Sequence, residues 1–149
     1  MGQGLAQDLI RDPARMYYGT DGHADLFLSF IGPNRALMLS APEDDPNAAQ
    51  LAKSRATLQA AGIEIVDFPY MSGFMDEGNW IIAPYMNFYF CNGGVIVPVA
   101  AEEPDKDAEA LEYLGRVFPD RQVVGVNLRA GPRQDGAIHY MTMQVPVRQ

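Results

Sequence analysis

Asn87-Phe88-Tyr89-Phe90-Cys91-Asn92-Gly93-Gly94-Val95-Ile96-Val97-Pro98-Val99 is the stretch on which the fold turns. Asn87 to Cys91 reads as a strand, Asn92-Gly93-Gly94 as a tight hairpin turn, and Val95 to Val99 as the apolar return. An acidic linker, Glu102-Glu103-Pro104-Asp105, then introduces a helix from about Lys106 to Phe118, with Ala108, Leu111, Leu114 and Phe118 at helical spacing. Pro119 stops the helix, and Gln122 to Val126 follows as a strand.

The same order of signals occurs upstream. Leu26 to Ile31 reads as a strand, Gly32-Pro33-Asn34 as a turn and Ala36 to Leu39 as the return. The acidic, proline-containing Pro42-Glu43-Asp44-Asp45-Pro46 leads into a helix from about Asn47 to Ala61, on which Ala48, Leu51, Ala52 and Leu58 share a face. Gly62 ends it as a C-cap, and Ile63 to Phe68 is a β-branched strand. Self-similarity at about 60 residues means one supersecondary unit used twice. The expected class is α+β, with about two ββαβ repeats at about 15–70 and about 80–128. A further strand, Ile138 to Val145 within about 137–147, follows the loop Arg129 to Gly136 and has no complete unit behind it. Two such units leave sheet faces uncovered, so a second copy or a partner chain is expected to complete them.

The chain has 149 residues, 48% hydrophobic and 20% charged, enough to bury a core and too apolar for a disordered segment. No apolar run is long enough to cross a bilayer, and Met1 to Arg15 carries charges where a secretory signal needs apolar residues. A cytoplasmic protein without membrane contact is the expectation. Cys91 stands alone, which excludes an internal disulfide and a multi-cysteine metal site. The net charge of -8 argues against nucleic acid; it suits solubility and also attracts cations.

The sharpest local motif is Gly19-Thr20-Asp21-Gly22-His23-Ala24-Asp25. Strand periodicity puts His23 and Asp25 on one face, and an imidazole beside a carboxylate suits acid/base work and recognition of a cation. A His and an Asp at the start of a strand also serve as turn and surface groups. His139, between Ile138 and Tyr140, reads as a hydrogen-bonded histidine near a sheet end. The two histidines lack zinc-site spacing, so no metal and no cofactor is expected. Cys91 alternates with Asn87 and Tyr89 on one strand face and reads as a small core hydrophobe, without the electropositive neighbours that a reactive thiolate needs. Trp80, Tyr85, Phe88, Tyr89 and Phe90 read as core and rim, with cation–π binding by Trp80 or Tyr85 as the other reading.

With these residues in view, the chain resembles the C-terminal portion of the agmatine deiminase and bacterial-type peptidylarginine deiminase family. Three segments carry the resemblance in order: Thr20 to Asp25, Tyr85 to Pro98, and Gly136 to Gln144, with Phe118 to Val126 fitting between them. The resemblance implies a pentein-like fold, a five-bladed αβ-propeller of ββαβ units, of which this chain supplies a partial propeller. Residues 1–149 are then a single truncated deiminase-like domain. It implies His23 as the catalytic acid/base and Asp25 as a carboxylate for the substrate guanidinium, whose paired donors a carboxylate matches. Asp21, Asn87 and His139 are the further substrate-binding candidates, and a small guanidinium ligand is the expected partner.

The departures from the family set the expected chemistry. Where the family has the cysteine that attacks the guanidinium carbon, this chain has Tyr140, after His139. A phenol, with an ordinary pKa of about 10, offers little phenolate at neutral pH, so covalent catalysis has no candidate there. The glycine-rich loop of the family is replaced by Gly131-Pro132-Arg133-Gln134-Asp135-Gly136. The expectation is a non-catalytic relative that keeps a cation-binding patch. The alternative is a hydrolase of agmatine or arginine groups, active with a missing half or through another nucleophile.

Overall fold

Short apolar strands joined through glycine- or asparagine-bearing turns build two three-stranded sheets of the same design, beside a two-stranded hairpin. The computed structural model describes residues 24–45, 47–69, 72–76, 79–83, 85–99, 101, 103–127, 138–143 and 145; for 72–76, 79–83 and 139 it describes the backbone alone. The chain divides into two compact units, Met1–Met71 and Ser72–Gln149.

In the first unit, β1 (Leu28–Gly32) pairs antiparallel with β2 (Arg35–Leu39), and β3 (Glu64–Phe68) lies parallel to β2. The register runs from Arg35 opposite Glu64 to Leu39 opposite Phe68. β2 is the central strand, and Ala36, Leu37, Met38 and Leu39 are all buried, as a strand covered on both faces requires. The crossover helix α1 (Ala48–Ala60) packs on β3 and buries Leu51, Ser54 and Leu58. Its start is fixed by Asp45, whose Oδ1 accepts from the Asn47 backbone N–H at 2.8 Å and from the Asn47 side-chain amide at 3.0 Å. Past its end, the Gly62 and Ile63 N–H groups donate to the carbonyls of Gln59 and Leu58.

The second unit begins with a hairpin, β4 (Ser72–Asp76) and β5 (Asn79–Ala83). β6 (Tyr89–Cys91) then pairs antiparallel with β7 (Gly94–Val99), and β8 (Gln122–Asn127) lies parallel to β7. The crossover helix α2 (Pro104–Val117) packs on β8 and buries Asp107, Ala110 and Leu114. A Cβ at Gly125 would meet Leu111 Cδ1 at 2.9 Å, so the glycine is what lets helix and strand approach this closely. Phe88, Phe90 and Phe118 form a cluster of edge-on rings with centroids 5.2 to 5.5 Å apart, and the Arg121 guanidinium lies over Phe90.

Both units thus run strand, strand, helix, strand, and they close alike. The Glu64 N–H donates to the Asn34 carbonyl at 2.8 Å, and the Gln122 N–H donates to the Gly93 carbonyl at 2.9 Å. In each case the first residue of the closing strand bonds the hairpin turn. Gly93 sits at φ 75°, which a side chain tolerates poorly.

Several sequence expectations need correction. Among its described residues, Ile138 to Val145 is not a strand: Ile138–Met141 is a 3₁₀ turn, with the Thr142 hydroxyl donating to the Ile138 carbonyl at 2.8 Å. A local side-chain bond offers that carbonyl what a neighbouring strand would have supplied. The first strand begins at Leu28, and Ala24–Leu26 forms a 3₁₀ turn, so strand alternation does not pair Asp25 with His23. Likewise β6 begins at Tyr89, leaving Asn87 in a bend and off the alternation with Cys91. Cys91 is half-buried rather than a core residue. On α1, Ala52 is exposed and Ser54 is buried instead; on α2, Ala108 is exposed and Asp107 and Ala110 are buried instead. α2 also starts earlier than expected, because Pro104 suits the first helical position. The hairpin β4–β5 was not anticipated, and the side chain of Trp80 lies outside the described residues.

Candidate functional site

The segment leading into the first strand of each three-stranded sheet, β1 and β6, holds a buried polar side chain. In the first unit this is Asp25, in the 3₁₀ turn Ala24–Leu26, with only 8% of its surface exposed. In the second it is Tyr85, 2% exposed, followed by the equally buried Asn87. The strand registers relate the two positions. Phe30 pairs with Ala36 and Phe90 with Val95, each one residue into its return strand; counting back five residues from each takes Phe30 to Asp25 and Phe90 to Tyr85. Asp25 and Tyr85 therefore hold corresponding places.

The helices correspond as well, since Leu51, Ser54 and Leu58 have the spacing of Asp107, Ala110 and Leu114. Leu51 then stands where the second unit has Asp107. In the second unit the pair is closed: the Tyr85 hydroxyl donates to Asp107 Oδ1 at 2.6 Å, and the Ala101 N–H donates to Oδ2 at 2.9 Å. A carboxylate with both oxygens engaged by protein donors is held for structure. In the first unit the buried carboxylate is on the strand side, at Asp25, and the corresponding helix position holds the aliphatic Leu51.

Of the residues singled out in the sequence, Asp25 belongs to the first unit, and Asn87, His139 and Tyr140 belong to the second. Asp21 and His23 lie outside the described residues, as does the loop Gly131 to Gly136. Tyr140 lies in the 3₁₀ turn Ile138–Met141 directly after His139, and it is 55% exposed. That turn is tied to β6 by the Tyr89 hydroxyl, which donates to the Met143 carbonyl at 3.3 Å. Among the described residues, no three His, Cys, Asp or Glu side chains are grouped to hold a metal ion, and no helix is long and apolar enough to cross a membrane.

Asp107 is not singled out in the sequence, where it falls within the expected helix from about Lys106 to Phe118, just after the acidic linker. The signal was present: positions 107, 110, 114 and 118 recur at helical spacing and are all buried, so a carboxylate stands on the apolar stripe. A charge there requires a donor from elsewhere in the unit, and Tyr85 provides it.

Comparison with known proteins adds the family. A Streptomyces coelicolor protein assigned as an agmatine deiminase is 32% identical over 151 residues, covering 96% of this chain and 42% of the relative. A Lactococcus lactis protein with the same assignment is 30% identical, covering 85% of this chain and 41% of its own. The chain thus spans about two fifths of the length of these relatives. Among solved structures, one assigned as the arginine deiminase of Porphyromonas gingivalis aligns with a TM-score of 0.72 at 30% identity, over 85% of this chain and 39% of that one. The C. jejuni agmatine deiminase with substrate bound aligns with a TM-score of 0.68 at 28% identity, over 80% of this chain and 36% of that one. The Porphyromonas-type peptidyl-arginine deiminase family matches residues 9–146, and the chain belongs to that family.

Proposed function

We propose that this chain is a deiminase-like domain that binds a guanidinium or another small cation at the His23–Asp25 segment and does not deiminate it. The observation that carries the reading is Asp25, a carboxylate buried at the lead into β1, where low local dielectric strengthens attraction to a cation. A planar guanidinium matches it with two parallel donors. His23 stands two residues earlier as the acid/base candidate, with Asp21 as a further ligand contact; Asn87 and His139, in the second unit, are separate ligand-contact candidates. The loss of chemistry rests on Tyr140, which occupies the place of the family's nucleophilic cysteine.

In this reading the two ββαβ units are two blades of a partial αβ-propeller. A second copy or a partner chain supplies the remaining faces. Calorimetric titration of the purified protein with agmatine tests the binding. Saturable heat in the wild type, absent in His23→Ala, with no ureido product accumulating, is the expected outcome. A wild type that gives no heat, or that releases product, sinks it.

A second reading is an active C–N hydrolase of agmatine or arginine groups. It is favoured by the length comparison, since this chain spans only 42% of its Streptomyces relative and a partner carrying the remainder would complete the site. Ureido product that disappears in His23→Ala is its signature.

A further inference from the structure

We propose that Asp107 is a positioning residue that holds the ligand-contacting end of the second unit in place; the link to a ligand rests on the function proposed above. Acidic residues in the first turn of a helix ordinarily face water and interact with the helix dipole, as Asp105 does in its exposed position. Asp107 does not. It is 6% exposed, on the stripe that continues through Ala110 and Leu114, and its two oxygens reach into two other segments.

Those segments meet at one end of the sheet. β6 runs antiparallel to β7, so the lead into β6 and the exit from β7 lie together, at the carboxyl ends of the parallel pair β7–β8. Ligands of open α/β sheets gather at such ends. Tyr85, held by Oδ1, stands two residues before Asn87. Ala101, held by Oδ2, has φ 66°, a left-handed conformation that a residue with a Cβ keeps only when its surroundings impose it. The Tyr89 hydroxyl extends the same end to Met143, just beyond the turn that carries His139 and Tyr140. One carboxylate therefore fixes the Tyr85–Asn87 bend, a strained loop and the start of α2.

The first unit shows what the arrangement is for. There the corresponding helix position is Leu51, and the buried carboxylate is instead Asp25, in the lead into β1. On the function proposed above, the strand-side position serves a ligand in one unit and is a structural phenol in the other. In the second unit the helix carboxylate is a latch and not a second binding group.

Hydrogen–deuterium exchange on the full chain, read by mass spectrometry, tests the latch directly. Asp107→Leu removes both acceptors. Asp107→Asn keeps both contacts, one of them reversed, since its amide oxygen accepts from the Ala101 N–H and its NH₂ donates to the Tyr85 hydroxyl. With Asp107→Leu, exchange is expected to rise about tenfold, the size of one lost buried hydrogen bond, in peptides covering 85–91 and 101. Peptides from the second half of α2 and from β8 should stay protected. Asp107→Asn should exchange as the wild type does. Agmatine affinity should fall about tenfold in Asp107→Leu and recover in Asp107→Asn. Exchange that rises uniformly across the unit, or that does not rise at 85–91, overturns the latch. If the wild type gives no heat with agmatine, the proposed function falls while the exchange experiment still decides the latch. A wild type that binds and an Asp107→Leu variant that loosens without losing affinity removes the link to the ligand.

Discussion

The two ββαβ units share a topology, a closing hydrogen bond and a spacing of buried helix positions, yet they place their buried charge on opposite sides. The first unit puts a carboxylate at the lead into its first strand, Asp25, and an aliphatic residue on the helix, Leu51. The second puts a phenol at the strand lead, Tyr85, and the carboxylate on the helix, Asp107. A repeated backbone thus sets where a polar group can be buried. In the second unit that group is spent on a bond within the protein, from Tyr85 to Asp107.

The largest expected effects are in the two helix cores. Leu58 and Leu114 occupy corresponding positions and are both fully buried. Leu58→Ala and Leu114→Ala should each cost about 2–5 kcal/mol in urea unfolding, the range for deleting a buried leucine side chain. Two transitions, each moved by only one of the variants, would show that the units unfold independently; one transition moved equally by both would show that they do not. Next in size is Tyr85→Phe, expected to cost about 1–3 kcal/mol because the buried Asp107 oxygen loses its hydroxyl donor. Asymmetry is the point of comparison here, since Leu51→Met, at the position corresponding to Asp107, changes no hydrogen bond and should cost less than about 1.5 kcal/mol.

These contrasts also mark what could be read in the sequence. Strand, turn and helix order was legible because apolar runs, Asn-Gly-Gly and the Pro/Gly stops each act locally. The family was legible too, because its motifs are contiguous segments. The lead-in segments were not: Ala24–Leu26 and Asn87 look like strand by alternation, but they precede the point where a neighbouring strand is available to pair. Ile138 to Val145 failed for the same reason, its β-like composition meeting no partner strand in the described residues. Asp107 was hidden by composition. Among Glu102, Glu103 and Asp105 it looks like one more solvated acid, and only its helical phase with Ala110 and Leu114 distinguishes it. Of the candidate site, Asp25 could be singled out by its motif, whereas its burial and the 3₁₀ turn around it could not.

Smaller effects sharpen the comparison at the turns and edges. Gly93→Ala should cost about 1–2 kcal/mol, because alanine at φ 75° crowds its own Cβ against the backbone. Asn34, which plays the corresponding carbonyl role in the first unit, has no such φ, so Asn34→Ala should cost less. Thermal or urea unfolding of the pair measures the difference, and equal losses would show that the turn conformation is not what distinguishes them. The smallest change is Arg35→Ala. It removes an exposed ion pair with Glu64 at 3.0 Å, worth about 0–1 kcal/mol, and the effect should vanish in high salt. The second unit has no ion pair at its corresponding register, Gly94 opposite Gln122, and its stability should respond less to salt there.

The bonds from Glu64 to Asn34 and from Gln122 to Gly93 also order events in time. A hairpin closes over a few residues in microseconds, whereas each parallel strand must return across a whole helix before it can pair. Both turns therefore form first, with their carbonyls still hydrated. Arrival of the third strand replaces that water and commits the unit, so slow folding mutants should cluster in the closing strands and their helices rather than in the hairpins.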